Sequence, residues 1–113
     1  MSFANLKQTH PKSFKLYTDF LKESFIQSQK GKATEELINN LFTDAFIMLS
    51  LERHGRTLYD FFDHFGIFIS IWYSPSSWMY SINDGVKTTS SGINRRFTEE
   101  KAFLEAFNRL ENK

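Results

Sequence analysis

The chain has 113 residues, 14 Lys and Arg against 13 Asp and Glu, and no cysteine. A chain of this length suits one domain, so we expect a single α+β domain over residues 1–113. The lack of cysteine excludes disulfides and thiolate chemistry, and no apolar run approaches the roughly 20 residues that span a bilayer. These features, and an N-terminus without a secretory pattern, predict a cytoplasmic protein with no membrane partner. The formal net charge of +1 argues against a protein that mainly binds polyanions.

Aromatic residues are the unusual part of the composition. The sequence contains 13 Phe, 4 Tyr and 2 Trp, an aromatic fraction of 17%. Each ring that is buried removes a large apolar area from water. With 24% charged and 41% hydrophobic residues in total, the composition is typical of a globular domain, and its rings predict a core that is stable without cross-links.

The first predicted helix begins near Pro11 and ends at Gly31, because proline suits the first turn of a helix and glycine suits its stop. Six lysines lie between residues 7 and 32 against only two carboxylates. The pattern favours an amphipathic helix with lysines on its solvated face, and a helix that binds nucleic acid or a membrane surface is the alternative. The apolar residues that recur at helical spacing are Phe14, Tyr17, Phe20, Leu21 and Phe25.

A second helix is predicted from its cap at Thr34 to its stop at Gly55. Glu35 and Glu36 stand in its first turn, where carboxylates favour the positive end of the helix dipole. Because its apolar stripe is wide, we expect one continuous helix at the centre of the domain. The stripe consists of Leu37, Ile38, Leu41, Phe42, Ala45, Met48 and Leu49.

A short third helix and a β-hairpin follow. Thr57 and Asp60 form a capping pair for the helix, and Gly66 offers the left-handed residue that ends it. The next residues are the most β-prone of the chain, and Ser74–Ser77 predicts a four-residue loop between two strands.

Loop length fixes which residues of the hairpin face each other. The predicted pairs are Tyr73 with Trp78, Ile71 with Tyr80 and Ile69 with Ile82, all on an apolar face directed to the core. Because side chains alternate across a strand, the opposite face is mixed. It carries Phe68, Ser70, Trp72, Met79, Ser81 and Asn83.

A second turn at Asn83–Gly85 leads to a third strand. We expect a three-residue loop with Gly85 in the bulge position, which pairs Val86 with Ile82 and sends Lys87 outward on a polar edge strand. A final helix is predicted to start at Thr98. Its narrow apolar face consists of Phe103, Ala106, Phe107 and Leu110.

The order of elements predicts an α+β fold. It comprises two N-terminal helices and a short third helix, a three-stranded antiparallel meander sheet, and a C-terminal helix packed on the sheet.

No motif in the sequence predicts catalysis. Asp60, Asp63 and His64 could face a divalent cation, but a metal site needs three or four ligands and no second cluster stands at ligand spacing. The serines lie in turns rather than in a nucleophile elbow, and the glycines are dispersed instead of forming a phosphate loop. We therefore expect no metal, no cofactor and no catalytic residue, although a site assembled from distant residues would leave no such signal.

The mixed sheet face is the candidate functional surface. Phe68, Trp72 and Met79 are residue types that protein interfaces favour. The alternative is a final helix that lies across this face, so that Phe103 and Phe107 cover it and it belongs to the core.

Two functions follow from an open face. The first is a non-catalytic interaction module that binds a protein partner or another copy of itself. The second is a single-stranded nucleic-acid binder, in which rings stack on bases and nearby cations meet phosphates. The near-neutral charge favours the first function. The candidate partner-binding residues are Phe68, Trp72, Met79, Lys87, Arg95 and Arg96.

Overall fold

The computed structural model describes residues 3–32, 34–53, 55–75, 77–83, 87–92 and 94–113, with the backbone alone at 83 and 87–92. The protein is α+β, with helices around an antiparallel sheet. In chain order its elements are α1 (Leu6–Thr9), α2 (Pro11–Ser28), α3 (Glu35–Leu41), α4 (Asp44–Glu52), α5 (Arg56–His64), β1 (Phe68–Tyr73), β2 (Trp78–Asn83), β3 (Lys87–Gly92) and α6 (Arg95–Glu111).

The basic helix of the sequence is α2. It has Pro11 at its first helical position, as expected, because proline lacks the N–H that a helix start leaves unpaired. After its last residue, Ser28, the chain turns through Lys30 and Gly31, whose φ angles are +52° and +83°. The helix therefore ends at Ser28, before the predicted stop at Gly31, and the first left-handed residue after it is Lys30. Although α2 is 18 residues long, neither it nor any other helix of the described ranges is long and apolar enough to cross a bilayer.

The predicted second helix is two helices, so the expectation of one continuous central helix is wrong. The chain leaves helical geometry at Phe42 (ψ 62°), and Thr43 is extended, with its hydroxyl accepting the Phe46 N–H at 3.3 Å. This cap opens α4. A Thr-Asp pair within an apolar stripe starts a new helix because it satisfies the exposed N–H groups of the next turn. The fold consequently has α1 to α4, rather than two helices, before α5.

The cap of α5, the helix before the sheet, lies two residues earlier than predicted. Gly55 is the N-cap residue and its carbonyl accepts the Leu58 N–H at 3.1 Å, so both the Thr57 cap and the Gly55 stop are corrected. Gly66, with φ of +75°, ends the helix as predicted. The N–H of Ile67 bonds to the Phe62 carbonyl at 2.9 Å, and the N–H of Gly66 bonds to the Asp63 carbonyl at 3.0 Å. These two bonds form a Schellman motif.

The register of the first hairpin agrees with the prediction. Tyr73 pairs with Trp78, Ile71 with Tyr80 and Ile69 with Ile82. On the face that these residues share, Tyr80 and Ile82 are buried, and Ile69 and Ile71 are half-buried against the core. Tyr73 departs from the expectation, since its side chain is 62% exposed.

The strand β3 lies antiparallel beside β2, and the sheet order is β1-β2-β3. The partner of Ile82 is Thr88, so the predicted pairing of Ile82 with Val86 is wrong by two residues. Val86 and Gly85 lie outside the described residues. Three residues separate the paired Asn83 and Lys87, so the predicted loop length is right, but the loop begins one residue later than predicted, at 84 instead of 83.

The C-terminal helix α6 begins before its predicted start at Thr98. Its N-cap is Asn94, whose Oδ1 accepts the Phe97 N–H at 2.8 Å. Thr98 is buried and donates its hydroxyl to the Asn94 carbonyl at 2.8 Å. Asparagine outranks threonine as a cap, so the earlier residue takes the role. The helix packs on the sheet against β2.

The core is built from aromatic rings that meet edge to face. The ring centroids of Tyr17 on α2 and Phe61 on α5 are 5.1 Å apart, and those of Phe62 on α5 and Phe107 on α6 are 4.8 Å apart. All four side chains are fully buried. Burial raises the pKa of Tyr17, and this outweighs the opposing hydrogen bond to the Ser50 hydroxyl at 2.7 Å. These rings join α2, α5 and α6 into one unit.

Hydrogen bonds join the start of α2 to the end of α6. The N–H of Ser13 donates to the Glu111 carboxylate at 2.8 Å, and that of Lys12 donates to the same group at 3.3 Å. The buried Ser13 hydroxyl donates to the Phe107 carbonyl at 3.2 Å. Since α2 has no side-chain cap from its own sequence, Glu111 serves as its cap from a distance.

The orientation of the sheet gives a first test. We expect Ile82→Ala to lower the free energy of unfolding by about 2–4 kcal/mol, because the side chain is fully buried. Phe68→Ala, on the opposite face and 52% exposed, should lower it by under about 1 kcal/mol. Urea denaturation measures both values. Equal losses would show that the two faces are similarly covered.

The cap of α2 gives a second test, through pH. The pKa of Glu111 is below its ordinary value of 4.5, because hydrogen bonds from Ser13 and Lys12 and the electrostatic influence of His10 outweigh burial, which would raise it. A carboxylate whose pKa is lowered by folding stabilises the protein at pH values above its ordinary pKa. This stabilisation is lost as the pH falls through the lowered pKa. At pH 7, Glu111→Gln should therefore lower the free energy of unfolding by about 0.5–1 kcal/mol.

This difference between the wild type and Glu111→Gln should narrow as the pH falls below 4.5 and through the lowered pKa of the wild-type carboxylate. Denaturation curves from neutral to acid pH measure it. A difference that stays constant with pH would contradict the role of the ionised carboxylate.

Candidate functional site

The mixed face of the hairpin is open. Phe68 is 52% exposed and Trp72 is 40% exposed, and both point away from the face that holds Tyr80 and Ile82. Met79 lies directly opposite Trp72 in the ladder and is half-buried. We call this surface the aromatic sheet face. Its described side chains are Phe68, Ser70, Trp72, Met79 and Ser81.

The C-terminal helix lies on the other side of the sheet. Phe103 is buried against Phe62 (centroids 6.1 Å apart) and Tyr59 (5.1 Å), while Phe107 packs on Phe62 at 4.8 Å. The alternative in which Phe103 and Phe107 cover Phe68 and Trp72 is thus excluded. These phenylalanines are used in contacts between helices, so the aromatic sheet face keeps its exposure.

The two candidate arginines lie on the helix side of the sheet. The guanidinium carbon of Arg95 is 5.9 Å from the centre of the Trp78 ring, on the same face as Tyr80. Arg96 donates to the Glu52 carbonyl at 2.7 Å and so caps the C-terminal end of α4. Lys87 opens β3, its backbone paired with that of Asn83. The structure therefore brings Phe68, Trp72 and Met79 together and places Arg95 and Arg96 elsewhere.

Arg95 also belongs to a polar cluster between α5 and α6. Its Nε is 3.8 Å from Glu99 Oε2, and the same oxygen accepts the Tyr59 hydroxyl at 2.8 Å. The pKa of Tyr59 is raised by burial first and then by the hydrogen bond and charge of Glu99, against a smaller lowering by Arg95. Tyr59 therefore stays protonated at ordinary pH and acts as a donor. The buried carboxylate of Glu99 thus has one hydrogen-bond donor, Tyr59, and one cation, Arg95, beside it, which is typical of a structural contact.

The histidine considered for a metal site lies in an aromatic setting. The His64 ring is 6.0 Å from the Phe20 ring and 5.1 Å from the Phe65 ring, measured between centroids. It borders a groove of about 430 Å³ beside α2, which also holds Asp19 and Glu23. Asp19 is paired with Lys15 at 2.8 Å. Across the described residues, no three His, Asp or Glu side chains are grouped so that they could hold a metal ion.

Exposed apolar residues on α3 and α4 were missed by the sequence analysis. Leu37 is 47% exposed, Phe46 39% and Leu49 55%, although all were assigned to a central helix. The Thr43-Asp44 pair is the sequence feature that predicts these exposed positions. A helix cap in the middle of the apolar stripe starts a new helix, and this changes which residues share a face.

Comparison with known proteins adds no relative from which a function could be inferred. No protein-family model matches the chain, and no curated protein or solved structure resembles it at a significant level.

Proposed function

We propose that this protein is a small cytoplasmic, non-catalytic interaction module that binds a protein partner, or a second copy of itself, through the aromatic sheet face. Its scaffold is the three-stranded meander with the C-terminal helix packed on one side. The proposal rests on the observation that α6 covers only one face of the sheet. While α6 buries Tyr80 and Ile82, the side chains of Phe68 and Trp72 stay 52% and 40% exposed.

The chemistry of this face supports protein binding. Large exposed rings separated by a small polar residue, Ser70, expose apolar area at little cost in side-chain entropy. Asp, Glu, Lys and Arg are absent from the described side chains of the face, and depletion of charge is typical of interface cores. Trp72 lies directly opposite Met79 in the ladder, and tryptophan is among the residue types at which binding free energy concentrates.

Nucleic-acid binding is the weaker proposal. A stacking site for single strands needs cations beside the rings to meet the phosphates. Arg95 and Arg96 instead contact Trp78 and the Glu52 carbonyl on the other side of the sheet. The net charge of +1 adds no general attraction for a polyanion.

Trp72→Ala tests the proposal. We expect this variant to weaken self-association or partner capture about 30-fold, since a hot-spot aromatic residue contributes about 2 kcal/mol to an interface. Its melting temperature should stay within a few degrees of the wild type, because the side chain makes no part of the buried core. Light scattering, capture on immobilised protein and a melting curve on the same preparation measure these quantities.

Leu49→Ala is the matched control. Leu49 is an apolar residue on α4 that is 55% exposed, so its replacement removes apolar surface away from the aromatic sheet face. Binding should be retained in this variant. Equal binding by the two variants, or unfolding of Trp72→Ala, would refute an interface at Trp72.

A further inference from the structure

The outer edge of β1 carries backbone groups that point away from β2. Ser74 and Ser77 exchange both backbone hydrogen bonds, at 2.8 and 3.3 Å, and therefore form a hydrogen-bonded pair. Such pairs alternate with non-hydrogen-bonded pairs along an antiparallel ladder. Counting back from Ser74, the residues of β1 whose N–H and C=O face outward are Ile69, Ile71 and Tyr73.

This edge is open to a further strand. Within the described part of the chain, no hydrogen bond reaches the outward backbone groups of Ile69, Ile71 or Tyr73. The six residues of β1 are Phe-Ile-Ser-Ile-Trp-Tyr, without charge or proline. Charge and proline are the usual devices that keep an edge strand from pairing, whereas β3, the other edge, begins with a lysine. The chemistry of the β1 edge thus fits an uncharged extended strand.

We propose that β1 pairs antiparallel with β1 of a second copy of this chain, about a two-fold axis through Ser70. The inference rests on the proposed function and names its partner. A two-fold axis perpendicular to the sheet keeps the aromatic sheet faces of both copies on the same side. It places Ile69 opposite Ile71 of the other copy as a hydrogen-bonded pair, and Phe68 opposite Trp72.

In this register, the two β1 strands form favourable backbone and side-chain pairs with each other. Each pair of Ile69 with Ile71 exchanges two backbone hydrogen bonds, and Phe68 beside Trp72 gives an aromatic cross-strand pair on both sides of the axis. The two neighbouring registers that keep the faces aligned have their axes at Ile71 and at Ile69. The first sets Phe68 against Ser74 and Trp72 against Ser70, and the second sets Phe68 against Ser70 and Trp72 against Gly66, so neither pairs these rings with each other. The axis through Ser70 is therefore favoured.

The area available predicts a reversible dimer. A buried aromatic side chain removes roughly 150–250 Å² from water, and Phe68, Trp72 and Tyr73 are already 38–60% covered in one copy, given exposures of 52%, 40% and 62%. Two copies therefore bury several hundred Å² of ring surface, less than the roughly 1,200–2,000 Å² of a standard interface. We expect dissociation constants in the micromolar range rather than the nanomolar range.

A cysteine on the axis reports the register. Because the chain has no cysteine, Ser70→Cys introduces one thiol per copy, in a non-hydrogen-bonded pair whose Cα atoms lie about 4.5 Å apart. That distance is within the range of a disulfide. Mild oxidation should therefore cross-link most of the protein as dimers. Gln27→Cys, an exposed position on α2, is the control for random collision and should cross-link far less.

Charged residues placed on the two-fold axis test the same contact without a cross-linking reaction. Ser70→Lys and Ser70→Glu each place two like charges side by side at the axis, so each variant alone should sediment as a monomer at concentrations where the wild type dimerises. An equimolar mixture should recover the dimer, because opposite charges then meet. Ser70 is exposed, and melting curves verify that both variants fold.

The outcomes separate this inference from the proposed function. A wild type that stays monomeric to about 1 mM, or a dimer that resists both Ser70 charges, overturns the pairing of β1 with β1. If that dimer is still lost in Trp72→Ala, the aromatic sheet face associates in another way and the proposed function stands. If Trp72→Ala leaves all association and capture unchanged, the proposed function fails as well.

Discussion

The contact of Phe107 with Phe62 determines how the rest of the protein is arranged. Their centroids are 4.8 Å apart in an edge-to-face geometry, and both rings are fully buried. Phe107 also meets Tyr17, at 6.4 Å. One side chain of α6 is thereby held between α2 and α5. Three residues, including the left-handed Gly66, then connect α5 to β1. Once α6 is fixed against these helices, it reaches only one face of the sheet.

The hairpin could be predicted because its physics is local. Alternation of side chains and a short loop determine the pairing of Ile71 with Tyr80 without reference to the rest of the chain. The helix boundaries at Thr43, Gly55 and Asn94 depend on competition between neighbouring caps that differ by about 1 kcal/mol or less, which pattern alone does not resolve. The prediction of the second turn was wrong for a similar reason, since a three-residue loop that contains Asp-Gly can begin at residue 83 or at residue 84.

The candidate site could likewise be predicted only in part from the sequence. The shared face of Phe68, Trp72 and Met79 follows from strand parity, so the sequence was sufficient to group them. Which side α6 covers was open, because it depends on ring contacts between distant helices. The roles of the arginines were also beyond the sequence. Arg96 meets the carbonyl of Glu52, 44 residues earlier, and a cation gives no local sign of whether it will meet a carbonyl or a phosphate.

The cap at the start of α2 has a consequence for the order of assembly. Its acceptor, Glu111, is 98 residues further along the chain than Ser13. During synthesis, the start of α2 is therefore made with N–H groups that have no protein acceptor. They gain one only after Glu111 has been made. Closing so long a loop is entropically unfavourable until other contacts have brought the segments together. Until α6 docks, only water satisfies these N–H groups, so the start of α2 frays more readily than its middle.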